Sequence, residues 1–335
     1  MDQKEINVEA ESKIGESFNG ISMTRDEFYR ELTISSSKFI TAEIQEKFRN
    51  TEILIAGVGS VGNPIAMTAV RAGAERVTVM DPDVVEANNL SRQQYTVSQI
   101  GKSKADMTVE NMKQINPYIA DSIHSEAKGM TIENAREYVE KSDIVVDAVD
   151  IRALDVIYEL HKCAAELRKP VLVGYDLAGT AMVAVYRYDK ENIKPLRGEL
   201  DDEKILEFNK VKLAFNSGIL SESEFLDYIY DAFTGPIDPL RVPVEQLEEI
   251  IKRTSEDTRT YQIGTTSAVL ASLTVEAMRR IVSNEGIKDV ILVDIPGLVR
   301  RSNPNVISKI PLLLRTLAKV KERGENVRES LNKII

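Results

Sequence analysis

The sequence predicts an α/β fold: a Rossmann-like, doubly wound and mostly parallel sheet with an antiparallel extension and a helical insertion. Three observations carry this. Strand-like and helix-like segments alternate from residue 52 to 174. The first strand runs straight into a glycine turn and a helix. The run Asp143-Ile144-Val145-Val146-Asp147, apolar with acidic ends, has the pattern of a parallel strand covered on both faces.

Residues 1–22 are polar, acidic and nearly aperiodic, and read as a flexible N-terminal arm. From Met23 to Phe48, Phe28, Leu32, Ile34, Phe39, Ile40, Ile44 and Phe48 fall at mixed spacings of three and four, a helical preface. Residues 52–57 form a buried strand and 57–62 a tight turn. A helix comes next over 63–72, with Pro64 in its first turn, where a missing N–H costs nothing. Residues 77–80 make the next strand, which delivers Asp81, 19 positions beyond Gly62, the distance at which a βαβ unit presents an acid to a ribose.

Residues 104–115 read as an amphipathic helix stopped by Asn116-Pro117, 156–167 as another helix, and 169–174 as the next strand. Residues 181–188 alternate as an antiparallel strand would. Composition then shifts toward Asp, Glu and Lys at helical spacing. The expected organisation is an arm at 1–22, a nucleotide-binding core at 23–188, a helical insertion at 189–260 and a part at 261–335 that completes the core. That last part holds a buried helix at 264–282, a strand at 289–294 and a basic helical tail at 307–335.

The net charge, 43 minus 53 or −10, offers no extended positive field, so nucleic acid is an unlikely partner. No apolar run reaches the ~18 residues of a membrane span, and the first twenty residues do not read as a signal peptide. One cysteine excludes an internal disulfide framework and a Cys-x-x-Cys zinc site. These features together point to the cytoplasm.

The turn Gly57, Gly59, Ser60, Gly62 sits between a strand and a helix, with its acid downstream, and so points to a nucleotide. The residues beyond Asp81 decide how that nucleotide is used. Arg92, Lys104 and Asp150 lie near expected strand ends. Two fixed cations and one carboxylate suit a reaction at phosphorus: the cations offset charge at the α-phosphate, and the carboxylate holds Mg²⁺. A nicotinamide-dependent oxidoreductase and a non-catalytic nucleotide-binding scaffold are the alternatives.

Asn89-Leu90-Ser91-Arg92-Gln93, Gly101-Lys102-Ser103-Lys104 and Asp147-Ala148-Val149-Asp150 come after the glycine turn and Asp81-Pro82-Asp83. In that order they resemble the ThiF/MoeB/HesA family, prokaryotic relatives of ubiquitin-activating enzymes. The resemblance covers residues 28–188 and, more loosely, 264–282. It implies an ATP-dependent adenylyltransferase that activates a carboxylate as an acyl-adenylate, expels pyrophosphate and works as a homodimer. The carboxylate belongs to a small-molecule acid, a peptide or the C-terminus of a ubiquitin-like carrier. By that resemblance Asp81 holds the ribose, with Asp83 beside it in the nucleotide site. Asn89, Arg92, Gln93 and Lys104 hold the phosphates, Asp150 the magnesium, and Arg30 resembles an arginine that reaches the neighbouring subunit's site.

The departures are informative. Ser60 replaces a family glycine, and Ile151 an asparagine after the magnesium-binding acid. Both zinc Cys-x-x-Cys pairs and the crossover cysteine of thioester-forming members are missing, so adenylation without zinc and without a self-thioester is expected. Cys163 shares a helical stripe with Val156, Leu160 and Leu167 and reads as core. His161 and His124 read as solvated or locally bonded. Residues 101–103 do not make a Walker A loop, because position 96 is Thr96. The acidic run at 199–204 is the start of a helix.

Overall fold

The computed structural model describes residues 22–253, 259, 261–301 and 306–332. All of the expected arm except Ser22 lies outside the described residues. Two short helices come first: α1 (Arg25–Thr33), opened by a Thr24–Glu27 capping box, and α2 (Ala42–Asn50), capped by Thr41. Glu75 takes Arg25 and Arg49, and the Tyr29 hydroxyl donates to the Gly73 carbonyl, so both helices pack against the turn that precedes the second strand.

The βαβ unit is β1 (Glu52–Ala56), α3 (Gly62–Arg71) and β2 (Arg76–Met80). Then come α4 (Lys104–Ile115), β3 (Ile123–Glu126), α5 (Ile132–Lys141), β4 (Ile144–Asp147), α6 (Leu154–Glu166), β5 (Val171–Leu177) and β6 (Thr180–Tyr186). The sequence pattern announces neither β3 nor α5 individually: β3 is the polar edge segment Ile-His-Ser-Glu, with one buried side chain, Ile123.

Seven strands form one sheet in the order β3-β2-β1-β4-β5-β6, ended by β7 (Val290–Asp294). The first five are parallel, β6 runs antiparallel to β5, and β7 runs antiparallel to β6 and so along the first five. Strand order reverses between β1 and β4, the position at which doubly wound sheets open a crevice beyond their carboxyl ends. β5 and β6 are joined by the two-residue turn Ala178-Gly179 with φ of 46° and 95°, the positive pair of a tight hairpin.

Alternate residues of each strand feed two cores. Ile53, Ile55, Val79, Val146 and Leu172 face α3, α4 and α10 (Gly264–Val282). Leu54, Val145, Val171 and Val173 face α5 and α6. Three insertion helices come after β6: α7 (Asp202–Asn216), α8 (Glu222–Ala232) and α9 (Val244–Lys252). Phe208, Phe225 and Tyr228 of α7 and α8 extend the second core rather than forming one of their own.

The part at 261–335 divides. α10 and β7 complete the sheet layer, and the short α11 (Ile295–Val299) comes directly after β7. α12 (Val306–Asn332), however, packs on α8 and α9, where Arg328 meets Asp231 and, at 2.7 Å, Glu207. The long basic helix therefore belongs with the acidic insertion, to which its charge is complementary. No helix among the described residues is long and apolar enough to cross a membrane.

Candidate active site

The turn between β1 and α3 lies at the crevice. Gly57 has φ of 92°, and a Cβ there would stand 2.1 Å from the Ala148 carbonyl oxygen, in the loop after β4. Register explains the contact: Ala56 pairs with Asp147, so the residues just beyond each of them meet across the switch point. A Cβ at Gly62 would lie 1.8 Å from the Gly57 carbonyl oxygen, which closes the turn on itself. Gly59, with only the Gln93 amide nitrogen 3.9 Å from where its Cβ would be, leaves backbone open to the crevice.

The turn is held from beneath. The Tyr95 hydroxyl donates to the Val58 carbonyl at 2.8 Å, and burial pushes its pKa well up. Asn63, fully buried, donates to Thr108 and accepts from the Gln94 N–H. Gln93 is buried with its Oε1 lacking any protein partner, a polar atom left over beside the glycines. Its position suits a phosphate-binding cradle.

Asp81 lies beneath the turn. Its Oδ2 accepts the Val58 N–H at 2.8 Å and its Oδ1 the Asp83 N–H at 2.9 Å, and the residue is 6 % exposed. Burial raises its pKa, with the Lys104 charge opposing. Each oxygen thus braces the turn while keeping acceptor capacity for a further donor. Asp83, two residues on, has a side chain 66 % exposed and takes Lys104 Nζ at 2.8 Å on its Oδ2. Asn89 is buried in its own loop: its Oδ1 accepts the Glu86 N–H and its Nδ2 donates to Asn88 Oδ1.

Arg92 and Ser60 meet at Gln262, which sequence reasoning missed. Gln262 Oε1 accepts from Arg92 Nε at 3.0 Å and from Ser60 Oγ at 2.8 Å. Ser60 thus supplies a donor that a glycine at that position would lack. Arg92 also donates to the Asn88 carbonyl. Lys104, 8 % exposed, opens α4, so its ammonium is fixed by the helix as well as by Asp83.

Asp150 lies in the loop after β4, with a side chain 61 % exposed. Its carboxylate caps the turn at Arg152 and pairs with that guanidinium at 3.2 Å. Among the described residues no group of three or more His, Cys, Asp or Glu is placed to hold a metal. One exposed carboxylate does fit magnesium, which keeps waters and takes its remaining ligands from phosphates. Beneath the loop, Asp147 Oδ1 accepts the Val149 N–H. Its Oδ2 lies 3.2 Å from Nε2 of the fully buried His161, whose Nδ1 is 2.8 Å from the Tyr188 hydroxyl.

Arg30 is exposed on α1, whose anchors at Glu75 and Gly73 lie at the opposite end of β2 from Asp81. Within one chain it does not join the crevice. Cys163 is buried on α6, its thiol pushed up to about 11 by burial and by Glu159. Sequence reasoning also missed Asp176 on β5, which accepts the Ile263 N–H. The one local hint is the polar run Thr265, Thr266 and Ser267 just after Gln262, at the start of a helix otherwise rich in core residues.

Comparisons with known proteins agree with this architecture. A family model described as "ThiF family" matches residues 32–300. The chain is 30 % identical over 164 residues to the sulfur carrier protein adenylyltransferase of Thermus thermophilus, covering 49 % of this chain and 58 % of that one. It is 34 % identical over 163 residues to the adenylyltransferase and sulfurtransferase MOCS3 of Anopheles gambiae, covering 47 % and 36 %. The adenylyltransferase and sulfurtransferase UBA4 of Lodderomyces elongisporus is 30 % identical over 154 residues, covering 46 % and 33 %. The chain therefore spans between a third and three fifths of these relatives.

Among solved structures, PaaA superposes with a TM-score of 0.50 at 14 % identity, over 81 % of this chain and 69 % of that one. The microcin C7 biosynthetic enzyme MccB in complex with N-formylated MccA gives 0.50 at 16 %, over 76 % and 67 %. These two likenesses concern the fold alone. By the family match, which runs from α1 to the end of α11, the chain belongs to the ThiF family.

Proposed function

We propose that the chain is an ATP-dependent adenylyltransferase. A carboxylate oxygen of the substrate attacks the α-phosphorus of ATP, the bond to the β-phosphate oxygen breaks, and pyrophosphate leaves with its electron pair. One observation carries this reading: at the switch point between β1 and β4, a glycine turn that opens a helix is flanked by a buried lysine and a tethered arginine. Backbone N–H groups and the helix dipole favour phosphate, while fixed cations need no reorganisation as charge moves onto the leaving group. The named activities of the relatives support the reading, and ThiF membership disfavours a nicotinamide-dependent oxidoreductase.

In this reading Gly57, Gly59, Ser60 and Gly62 with Asn89 and Gln93 line the triphosphate, Arg92 and Lys104 offset its charge, and Asp81 takes the ribose with Asp83 beside it. Asp150 would hold Mg²⁺, which supplies further charge neutralisation; Arg152 would keep Glu222, 3.2 Å away. Arg30 serves the site of a second copy in a homodimer. The substrate is a small-molecule acid, a peptide or a ubiquitin-like C-terminus, in the cytoplasm. The raised Cys163 thiol supports adenylation without a self-thioester. The test is ATP–pyrophosphate exchange against pools of metabolite acids, peptides and carrier proteins. Exchange that depends on one pool is the expected result, and none from any pool, with ATP bound, refutes the proposal.

A further inference from the structure

Just ahead of α10 the chain passes close to the crevice, and two contacts fix it there. Asp176 on β5 accepts the Ile263 N–H at 3.3 Å. Gly264, the first residue of α10, lies so near the arginine loop that a Cβ there would stand 2.3 Å from the Ser91 carbonyl oxygen, an approach that only glycine permits. Gln262 comes immediately before both contacts. Its side chain reaches Ser60 in the nucleotide turn and Arg92 at the mouth of that turn.

The chemistry of this meeting runs one way. A guanidinium has only donors, so the Gln262 amide must turn its oxygen toward Arg92, and the Ser60 hydroxyl, 2.8 Å from the same oxygen, must give its proton there. That acceptor is uncharged. So is the Asn88 carbonyl, which takes Arg92 Nη1 at 2.8 Å. Two neutral acceptors, one on Nε and one on Nη1, define the plane of the guanidinium, and Nη2 has no hydrogen bond among the described residues. Asp176 senses the Arg92 charge without pairing with it. Lys104 is treated differently, since its ammonium meets the Asp83 carboxylate at 2.8 Å. A carboxylate at position 262 would hold Arg92 as firmly and would cancel part of the charge that phosphate is to meet.

We propose that Gln262 is a positioning residue for phosphate chemistry at the crevice: its amide oxygen locks the guanidinium plane of Arg92 to the nucleotide turn and, being neutral, leaves the arginine's charge for the triphosphate. This rests on the adenylation reading and adds to it a residue that acts through Arg92. A planar fork of N–H groups stabilises charge on phosphate best when its direction is set before the reaction, because a long side chain left to rotate must be ordered as the charge develops. Ser60 shares the same oxygen, so the turn and the guanidinium are held as one unit.

The test is a double-mutant cycle read by ATP–pyrophosphate exchange. Gln262→Met keeps the length of the side chain and drops the acceptor. It should slow exchange by about 10- to 100-fold, the range for a hydrogen bond to a charged group. Combined with Arg92→Ala, it should cost no more than about two-fold beyond Arg92→Ala alone, because each change removes the same unit. Gln262→Glu keeps an acceptor and adds a charge, so it should weaken ATP binding by about 10-fold at low salt and recover as salt rises. In the wild-type protein the Arg92 Nε–H resonance, assigned by its absence from Arg92→Lys, should be protected from exchange with solvent. A glutamine with a purely structural role gives losses that add to those of Arg92→Ala, and that result overturns the inference. Gln262→Glu binding ATP like wild type at every salt concentration overturns it too, as does an unprotected Arg92 Nε–H, a measurement that holds even where the position 262 variants misfold. Wild type that binds ATP but exchanges with no acid refutes adenylation alone, and the same cycle run on the ATP dissociation constant still decides the part played by Gln262.

Discussion

Asp176→Asn should make the protein more stable at neutral pH. The carboxyl has an ordinary value of 3.8 and is pushed up to about 6 by burial, a difference of about 3 kcal/mol between its two protonation states. The side chain is partly open to solvent, and discounting for that leaves about 1–2 kcal/mol. The sign follows from proton binding. Between pH 4 and 6 the folded state holds the proton that the unfolded state has released, so stability falls as pH rises through that window, and the penalty is complete above about pH 7. Asparagine carries no such charge. Urea unfolding of both proteins from pH 4 to 8 should give a stability difference near zero at pH 4 that grows to about 1–2 kcal/mol in favour of the variant at pH 7.5. Asp81, Glu199 and Asp227, also raised by burial, tilt both curves alike and cancel in the difference. A variant less stable than wild type at neutral pH, or a difference that ignores pH, refutes the burial account.

Four further outcomes are expected. Gly57→Ala, forced against the Ala148 carbonyl at a φ of 92°, should abolish measurable ATP binding and lower stability by at least ~1–2 kcal/mol, read by nucleotide titration and thermal melts. Arg92→Ala and Asp150→Ala should each slow pyrophosphate exchange by about 10²- to 10³-fold with near-native circular dichroism, since both side chains sit at the crevice rim rather than in the core. His161→Ala should cost about 2–4 kcal/mol in denaturant unfolding by stranding the buried Asp147 and the Tyr188 hydroxyl. Cys163→Ala should leave exchange within about two-fold of wild type, as befits a thiol held in its neutral form on the second core.

The parallel half of the sheet was legible because both its cores speak through simple periodicity. The runs expected as strands at 52–57, 77–80, 143–147 and 169–174 fall on β1, β2, β4 and β5, and the 104–115 and 264–282 helices match the observed bounds. β3 was not legible, since an edge strand with one buried side chain leaves almost no pattern. In the candidate site, the glycine turn was legible because strand, turn and helix follow one another along the chain. Spacing could not separate the bracing role of Asp81 from the exposed position of Asp83: both lie at the same strand end, and only hydrogen-bond direction tells them apart. Gln262 and Asp176 escaped for a different reason. Their significance is a meeting between segments 170 and 87 residues apart, which no local pattern encodes.

The link from Ser60 to Gln262 spans 202 residues, and α10, which starts just beyond Gln262, packs on α3, the helix that the glycine turn opens. The turn and the guanidinium at its mouth therefore depend on the same late stretch of chain. A truncation ahead of Gln262 would strip Arg92 of the amide that orients it and, in the same stroke, uncover one face of α3.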